Sequence, residues 1–190
     1  GLNRLHEFSK IEIVRIDTPE HSAQSHQEML DHVEGLLQKL ELPYRILRLC
    51  GGDMSFTAAI CYDFEVYSEA QKRWLEVSSV SNFDTYQANR LQCRYRGADK
   101  KIRLCHTLNG SALALPRIVA ALLEDFQTPE GIRIPKALPA DAEDALTFVY
   151  RMSYQDSMPA IKACTALLQA YPDPTEAYVC RGSWLASKTQ

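Results

Sequence analysis

The segment of residues 106–117 joins a polar stretch to an apolar pattern of helical spacing. Asn109 and Ser111, with a glycine between them, predict a turn. The apolar residues that then recur at helical intervals are Leu113, Ile118, Leu122 and Phe126. Pro116 near the helix start costs little, because the first N–H groups of a helix have no intrahelical partner. Arg117 would stand on the first turn, where its permanently charged guanidinium suits a phosphate, although a solvated arginine at an ordinary loop-to-helix junction fits the same pattern.

The first residues of the chain predict a β-strand over residues 1–16, because β-branched and aromatic residues are interleaved with charged ones. Even-numbered positions of such a strand share one face, so Arg4, His6, Phe8 and Glu12 would point together into a cleft. An arginine, an aromatic ring and a carboxylate suit a phosphate, a purine base and an ammonium group. An edge strand with a merely polar face is the alternative.

Two further segments carry polar side chains that suit a nucleotide. Glu76 and Ser78 would share one face of a strand, with Ser79 on the opposite face until the strand bends. A carboxylate and a hydroxyl at a strand end can hold Mg²⁺ between phosphates, but a strand that runs into a Ser/Asn-rich turn has the same pattern. A basic segment over residues 86–96 offers three arginines to an anionic ligand or to water, namely Arg90, Arg94 and Arg96.

A succession of strands with one long helix positions these residues. A Thr-Pro-Glu sequence at residues 18–20 ends the first strand and begins the helix, whose apolar stripe is Met29, Val33, Leu36, Leu37 and Leu40. Residues 44–49, 62–67 and 74–79 predict strands, the last two as antiparallel partners across the turn at residues 68–73. Residues 56–60 predict a short helix or strand. The fold class is therefore α+β, a mostly antiparallel sheet with helices on one face.

Composition argues against several classes of protein. The chain of 190 residues is 46% hydrophobic, and its formal net charge of −3 shows no basic excess of the kind that favours nucleic acid. No apolar run is long enough to span a membrane. The six cysteines form no closely spaced ligand pair, which disfavours a zinc site and a disulfide framework. We expect reduced thiols in a cytoplasmic protein.

Pro135 and Pro139 mark a boundary between residues 1–138 and residues 139–190. The helices predicted beyond it span residues 142–154, 158–171 and 176–187. Residues 160–182 resemble a tetratricopeptide repeat, because small residues and a helix-ending proline stand where paired helices approach each other. An unrelated helical hairpin is the alternative.

The order and spacing of these segments resemble the seryl-tRNA synthetases, a family of class II aminoacyl-tRNA synthetases. Residues 1–12 resemble the second half of the family's motif 2, and residues 106–117 resemble its motif 3. Residues 76–83 and 87–90 resemble its metal-binding strand and the segment after it. The resemblance covers residues 1–138 and implies a class II catalytic domain, N-terminally truncated and followed by a short α-helical repeat-like tail.

The resemblance also implies roles at the ATP end of a catalytic site. Phe8 would stack on adenine, Arg4 would lie beside the ATP phosphates, and Arg117 would bind the terminal phosphate. Glu76 and Ser79 would hold the Mg²⁺ that bridges the phosphates.

At the serine end, the resemblance places Glu12 on the amino group and Asn109 and Ser111 near the hydroxyl. The implied reaction is attack of the serine carboxylate on the α-phosphate of ATP, which gives seryl-adenylate and pyrophosphate before transfer to tRNA(Ser). Arg4, Glu12 and Arg117 would be the catalytic residues. Such chemistry depends on positioning and charge neutralisation, so it needs no side-chain nucleophile.

Several parts that the family implies would lie before Gly1. These are the first strand of motif 2 with its arginine, the motif that forms the homodimer, and the coiled-coil arm that grips tRNA. We therefore expect weakened activity from this chain. The alternatives are a non-catalytic interaction protein built from a degenerate synthetase domain and a tetratricopeptide-like tail, a fusion of unrelated pieces, and a relative that activates serine for a carrier protein.

Overall fold

The chain is organised around a six-stranded antiparallel sheet. The structure is a computed structural model that describes residues 4–8, residues 10–138 and the backbone of residues 178–181. Its helices and strands, numbered in chain order, are β1 (Lys10–Asp17), α1 (Ser22–Lys39), β2 (Tyr44–Arg48), β3 (Ile60–Ser68), β4 (Arg73–Asn82), α2 (Tyr86–Leu91), β5 (Arg94–Arg96), β6 (Ile102–Leu104), β7 (His106–Ala114), α3 (Leu115–Asp125), β8 (Gln127–Thr128), β9 (Gly131–Ile132) and β10 (Tyr178–Arg181). The strand order in the main sheet is β10-β1-β7-β4-β3-β2. This architecture confirms the predicted α+β class.

Helices α1 and α3 pack on one face of the sheet and enclose a hydrophobic core. The strands contribute Phe64, Val66, Val80 and Leu108, which are almost fully buried. The helices contribute, among others, Val33, Leu37, Ile118 and Leu122. The predicted stripe of α1 is confirmed, although Leu36 is only partly buried. The two helices therefore take up one face, and the other face is left for polar side chains.

The strand predicted over residues 1–16 is shorter than expected. β1 begins at Lys10, and residues 4–8 lie in bends and irregular backbone. The prediction that Arg4, His6, Phe8 and Glu12 share one face of a strand is therefore wrong, because only Glu12 lies in β1. The β-rich residues lie after Lys10, where β7 supplies the pairing partners that make the strand.

The turn predicted around Asn109 and Ser111 is also wrong, because both residues lie inside β7. β7 pairs with β1 on one side and with β4 on the other. A strand with partners on both sides satisfies its backbone hydrogen bonds in the sheet, and this outweighs the local turn preference of an Asn-Gly-Ser sequence.

Residues 56–59 form neither the helix nor the strand predicted there. The Ala58 N–H donates to the Ser55 carbonyl at 3.0 Å, and the Ser55 and Thr57 hydroxyls lie 2.9 Å apart. Short hydroxyl side chains stabilise turns in this way. The chain enters β3 only at Ile60.

Residues 178–181 form β10, so the helix predicted over residues 176–187 is wrong at these positions. β10 pairs antiparallel with the outer side of β1. The Tyr-Val-Cys sequence favours a strand, and pairing covers backbone groups that an edge strand would expose.

The other predicted tail helices and the tetratricopeptide resemblance lie outside the described residues, and the boundary after residue 138 stays a prediction. Within the part of the chain that the structure describes, no helix has the length and apolar character needed to cross a membrane.

Gly110 marks a close approach of β7 to β4. A Cβ at this position would lie 2.8 Å from Val80 Cγ2 and 3.1 Å from Val80 Cβ. Val80 is fully buried and β-branched, so it has little freedom to move away. We predict that Gly110→Ala lowers the free energy of unfolding by about 1–3 kcal/mol, the usual cost of overpacking, measured by chemical denaturation.

The matched control is Gly35→Ala in α1, where an added Cβ meets no atom within 4 Å. Because alanine favours a helix over glycine, this variant should be neutral or more stable by up to about 1 kcal/mol. Equal stability of the two variants would contradict the packing assigned to Gly110.

Candidate functional site

Polar side chains cluster on the face of the sheet opposite the helices, next to the exposed apolar side chains of Val14, Ile16 and Leu47. Directly paired residues of antiparallel strands point to the same face. The pairs that define this polar face are Glu12 with Ser111, Asn109 with Ser81, Ser79 with Asp63, and Glu76 with Glu65. Side chains from β1, β7, β4 and β3 therefore lie side by side on one surface.

A β-bulge in β4 decides which of its side chains reach this polar face. Phe64 pairs with Ser78, but the next residue of β3 pairs with Glu76, so Val77 is an extra residue in β4. The bulge brings Glu76 and Ser79 to the same face. Ser78 is 1% exposed on the core side and donates to the Ser111 carbonyl at 2.5 Å. The prediction that Glu76 shares a face with Ser78 is wrong, because strict alternation does not continue through a bulge.

A second bulge lies in β7 at Ala112. Ile11 pairs with Leu113 and Glu12 pairs with Ser111, so Ala112 is the extra residue. As a result Ser111 faces Glu12, and its hydroxyl donates to Glu12 Oε2 at 3.3 Å. Asn109 lies two residues from Ser111 on the same face.

The Glu12 carboxylate already binds an ammonium group. Lys10 Nζ lies 2.8 Å from Glu12 Oε2, and the two side chains are 38% and 26% exposed. Glu12 is thus open to solvent and accepts both a hydroxyl and a cation at one oxygen. This arrangement can bind a small molecule that carries an ammonium group next to a hydroxyl.

Three carboxylates gather on the part of the polar face formed by β3 and β4, on Asp63, Glu65 and Glu76. Partial burial and the carboxylate of Asp63 raise the pKa of Glu76, although Arg117 and Lys10 act in the opposite direction. Burial also raises the pKa of Asp63, against hydrogen bonds from Ser79 and Cys61 that lower it. The mutual repulsion of these carboxylates favours a cation beside them.

Asp63 and Glu65 were not among the predicted site residues. The acidic residues at alternating positions of the 62–67 strand were the available signal, since they place both carboxylates on one face. Glu65 also forms an ion pair with Arg45, with 2.5 Å between Oε2 and Nε.

Arg117 lies in the first turn of α3, as predicted, and reaches Glu76. Its guanidinium donates to the Glu76 backbone carbonyl, and its Nη1 lies 4.0 Å from Glu76 Oε2. The N-terminus of α3 adds backbone N–H groups and the positive end of the helix dipole. The Arg117 guanidinium and the N-terminus of α3 therefore form a cationic site, suited to an anion, beside the carboxylates.

The remaining predicted residues lie outside the strands and the helix that form this face. Arg4 and Phe8 lie on the segment before β1, and Phe8 is 43% exposed. Arg90 lies on α2 with its guanidinium 3.6 Å from the centre of the Tyr86 ring. Arg94 and Arg96 lie on β5, and all three of these arginines are exposed. The structure favours the solvated alternative for them.

The predicted metal position of Glu76 and Ser79, with Asp63 beside them, offers a set of oxygen donors, and the Cys61 Sγ lies 3.2 Å from the Ser79 hydroxyl. This donor set suits Mg²⁺, which binds proteins through one or two carboxylates and takes further oxygens from phosphates and water. Among the described residues, no group of three or more His, Cys, Asp or Glu side chains is arranged to hold a metal ion. The residues therefore fit a Mg²⁺ that is shared with a phosphate ligand better than an all-protein metal site.

Comparison with known proteins agrees with the sequence resemblance. The family model described as tRNA synthetase class II core domain (G, H, P, S and T) matches residues 1–126. A serine-tRNA ligase of Salinibacter ruber is 58% identical over 140 residues, which are 73% of this chain and 33% of that protein. The chain thus spans about a third of the length of the curated relatives it matches.

Two solved structures share the fold. The seryl-tRNA synthetase from Pyrococcus horikoshii, complexed with ATP, superposes with a TM-score of 0.68 at 41% identity, over 72% of this chain and 31% of that one. The cytoplasmic serine-tRNA ligase from Naegleria fowleri, in complex with AMP, has a TM-score of 0.66 at 32% identity, over 72% of this chain and 32% of that one. The chain therefore belongs to the class II tRNA synthetase core domain family, and within that family its relatives are serine-tRNA ligases.

Proposed function

We propose that the polar face binds ATP and serine and activates serine as seryl-adenylate. One observation carries this proposal: the two bulges put Glu12, Ser111, Glu76 and Ser79 on one face, and Arg117 lies beside Glu76. An ammonium site and an anion site thus share one surface. The relatives at 50–58% identity and the synthetase structures with bound ATP or AMP support the same function.

Glu12 is the proposed site for the amino group of serine. The ammonium of Lys10 already lies at Glu12 Oε2, so the amino group of serine would replace one cation by another without leaving the carboxylate unpaired. Ser111 donates to the same oxygen and, with Asn109, would contact the serine hydroxyl. A site that hydrogen-bonds a substrate hydroxyl rejects analogues without it, because its own polar groups are then unpaired.

Arg117 is the proposed partner of the terminal phosphate. Glu76 and Ser79 would hold Mg²⁺, whose chemical contribution is to neutralise the charge of the phosphates. Arg4 and Phe8 would approach the phosphates and the adenine ring from the segment before β1. The roles of Arg4 and Phe8 rest on the family resemblance. The roles of Arg117 and Glu76 rest also on the geometry described above.

In the proposed reaction, a serine carboxylate oxygen attacks the α-phosphate, and pyrophosphate leaves. The residues of the polar face orient the two substrates and balance their charges, which are the main contributions that phosphoryl and nucleotidyl transfer require of a protein. Transfer of the seryl group to tRNA(Ser), the homodimer and a cytoplasmic location are also proposals, and they concern the longer protein that the relatives represent.

The direct test is ATP–pyrophosphate exchange by the 190-residue chain with serine, and with alanine, threonine and glycine as control amino acids. We expect exchange only with serine. Thermal unfolding with ATP, with serine and with both separates binding from chemistry. If the protein is folded but neither ATP nor serine raises its unfolding temperature, the proposal is contradicted and a non-catalytic role is favoured.

We predict that Glu12→Gln weakens serine binding about tenfold or more, because the amide has no charge to pair with an ammonium group. ATP binding should stay unchanged, and isothermal titration calorimetry can measure both ligands. The control is Glu28→Gln, which removes a more exposed carboxylate that also pairs with a cationic side chain, Arg15. If serine binds both variants equally well, the role of Glu12 is wrong.

We predict that Arg117→Ala weakens ATP binding about 10-fold to 100-fold, the range expected when hydrogen bonds to a charged group are lost. Serine binding should change much less. Arg133→Ala is the matched control, since Arg133 is an exposed arginine that pairs with Glu41 at 2.9 Å. An unchanged dissociation constant for ATP in the Arg117 variant would place the phosphates elsewhere.

A further inference from the structure

Cys93 and Cys105 face each other at the base of the hairpin formed by β5 and β6. Their Sγ atoms are 3.7 Å apart. The Cys105 N–H donates to the Cys93 carbonyl at 3.3 Å. β5 and β6 pair Arg94 with Leu104, so the two cysteines occupy the next position of the same register.

This register suits a disulfide. Paired residues of antiparallel strands have Cα atoms about 4.5–5.5 Å apart, within the range of about 4.4–6.8 Å that disulfides span. The two sulfur atoms would have to move together by less than about 2 Å to reach bonding distance, a shift that rotation about the side-chain bonds can supply. Backbone rearrangement is not required.

The two thiols differ in their access to a reagent. Cys105 is 6% exposed, whereas Cys93 is only partly buried. Burial raises the pKa of the Cys105 thiol, and its contact with Cys93 raises this pKa further. A small oxidant therefore meets Cys93 first, and the thiolate form of Cys105 is disfavoured.

We propose that Cys93 and Cys105 form a reversible dithiol–disulfide pair that reacts with low-molecular-weight disulfides such as glutathione disulfide. The Cys93 thiolate attacks one sulfur of the small disulfide and releases one small thiolate. Cys105 then loses its proton, attacks the Cys93 sulfur and releases the second. Two protein thiols are oxidised to one disulfide, and the small disulfide is reduced to two thiols.

The bond would fasten the exposed hairpin to the start of β7. Cys105 directly precedes His106, whose Nδ1 lies 2.7 Å from the Ser22 hydroxyl at the start of α1. The cross-link would thus lie at a point where the hairpin, β7 and α1 meet. Oxidation should stabilise the fold, because a cross-link lowers the conformational entropy of the unfolded chain. The proposal involves neither ATP nor serine, so it does not depend on the proposed function.

The test is incubation of the full chain with glutathione disulfide, alkylation of the remaining thiols, and mass spectrometry of non-reduced digests. We expect a peptide that links Cys93 to Cys105, its loss on addition of dithiothreitol, and an increase in Tm of about 5 °C. A link that involves Cys50, Cys61, Cys164 or Cys180 instead would overturn the proposal. A correct link without any increase in Tm would overturn the stabilising role.

Three variants sharpen the result. Cys93→Ser should lose both the link and the increase in Tm, whereas Cys50→Ser, which removes an exposed thiol, should keep both. Cys105→Ser should accumulate a stable glutathione adduct on Cys93, because the second thiol is missing. If Cys93→Ser does not fold, the adduct in Cys105→Ser and the mapping of the unmodified chain still decide the question. Absence of that adduct would contradict the order of attack.

Discussion

The pairing of β7 with both β1 and β4 is the constraint on which the fold and the polar face depend. Gly110 permits this pairing, because any side chain there would run into Val80. The same strand places Leu108 in the core and Asn109 and Ser111 on the opposite face. The backbone hydrogen bonds of β7 therefore position the hydrophobic core and the candidate site together, and a shift of this strand would displace both.

The two bulges adjust which side chains these hydrogen bonds present. Each bulge adds one residue to a strand, so the side chains beyond it point to the opposite face from the one that strict alternation would give. Without the bulge at Val77, Glu76 and Ser79 would lie on opposite faces. Without the bulge at Ala112, Ser111 could not pair with Glu12 while Leu113 pairs with Ile11. Bulges are common near functional sites because they redirect single side chains at low cost to the sheet.

Charge is arranged unevenly across the polar face. The cation and carboxylate of Lys10 and Glu12 lie on β1. The carboxylate of Glu76, with the Arg117 guanidinium beside it, lies two strands away on β4, and those of Asp63 and Glu65 lie on β3, one strand further. Burial, with neighbouring carboxylates adding to its effect, raises the pKa values of Asp63 and Glu76, so their ionised forms are disfavoured in the absence of a ligand. Such local conflicts are typical of functional sites, where binding of a ligand relieves them.

The sequence alone determined the α+β class, the long amphipathic helix α1, the β3–β4 hairpin and Arg117 on the first turn of α3, because these follow from local periodicity and from the residues that begin and end elements. The order of its motifs also identified the family. Tertiary structure decided the start of β1, the strand conformation of residues 109–111, the strand at residues 178–181 and the shared face of Glu76 and Ser79. Each of these depends on hydrogen bonds to a strand that is distant in the chain. A bulge in particular is defined by its partner, since only the opposing strand shows which residue is the extra one.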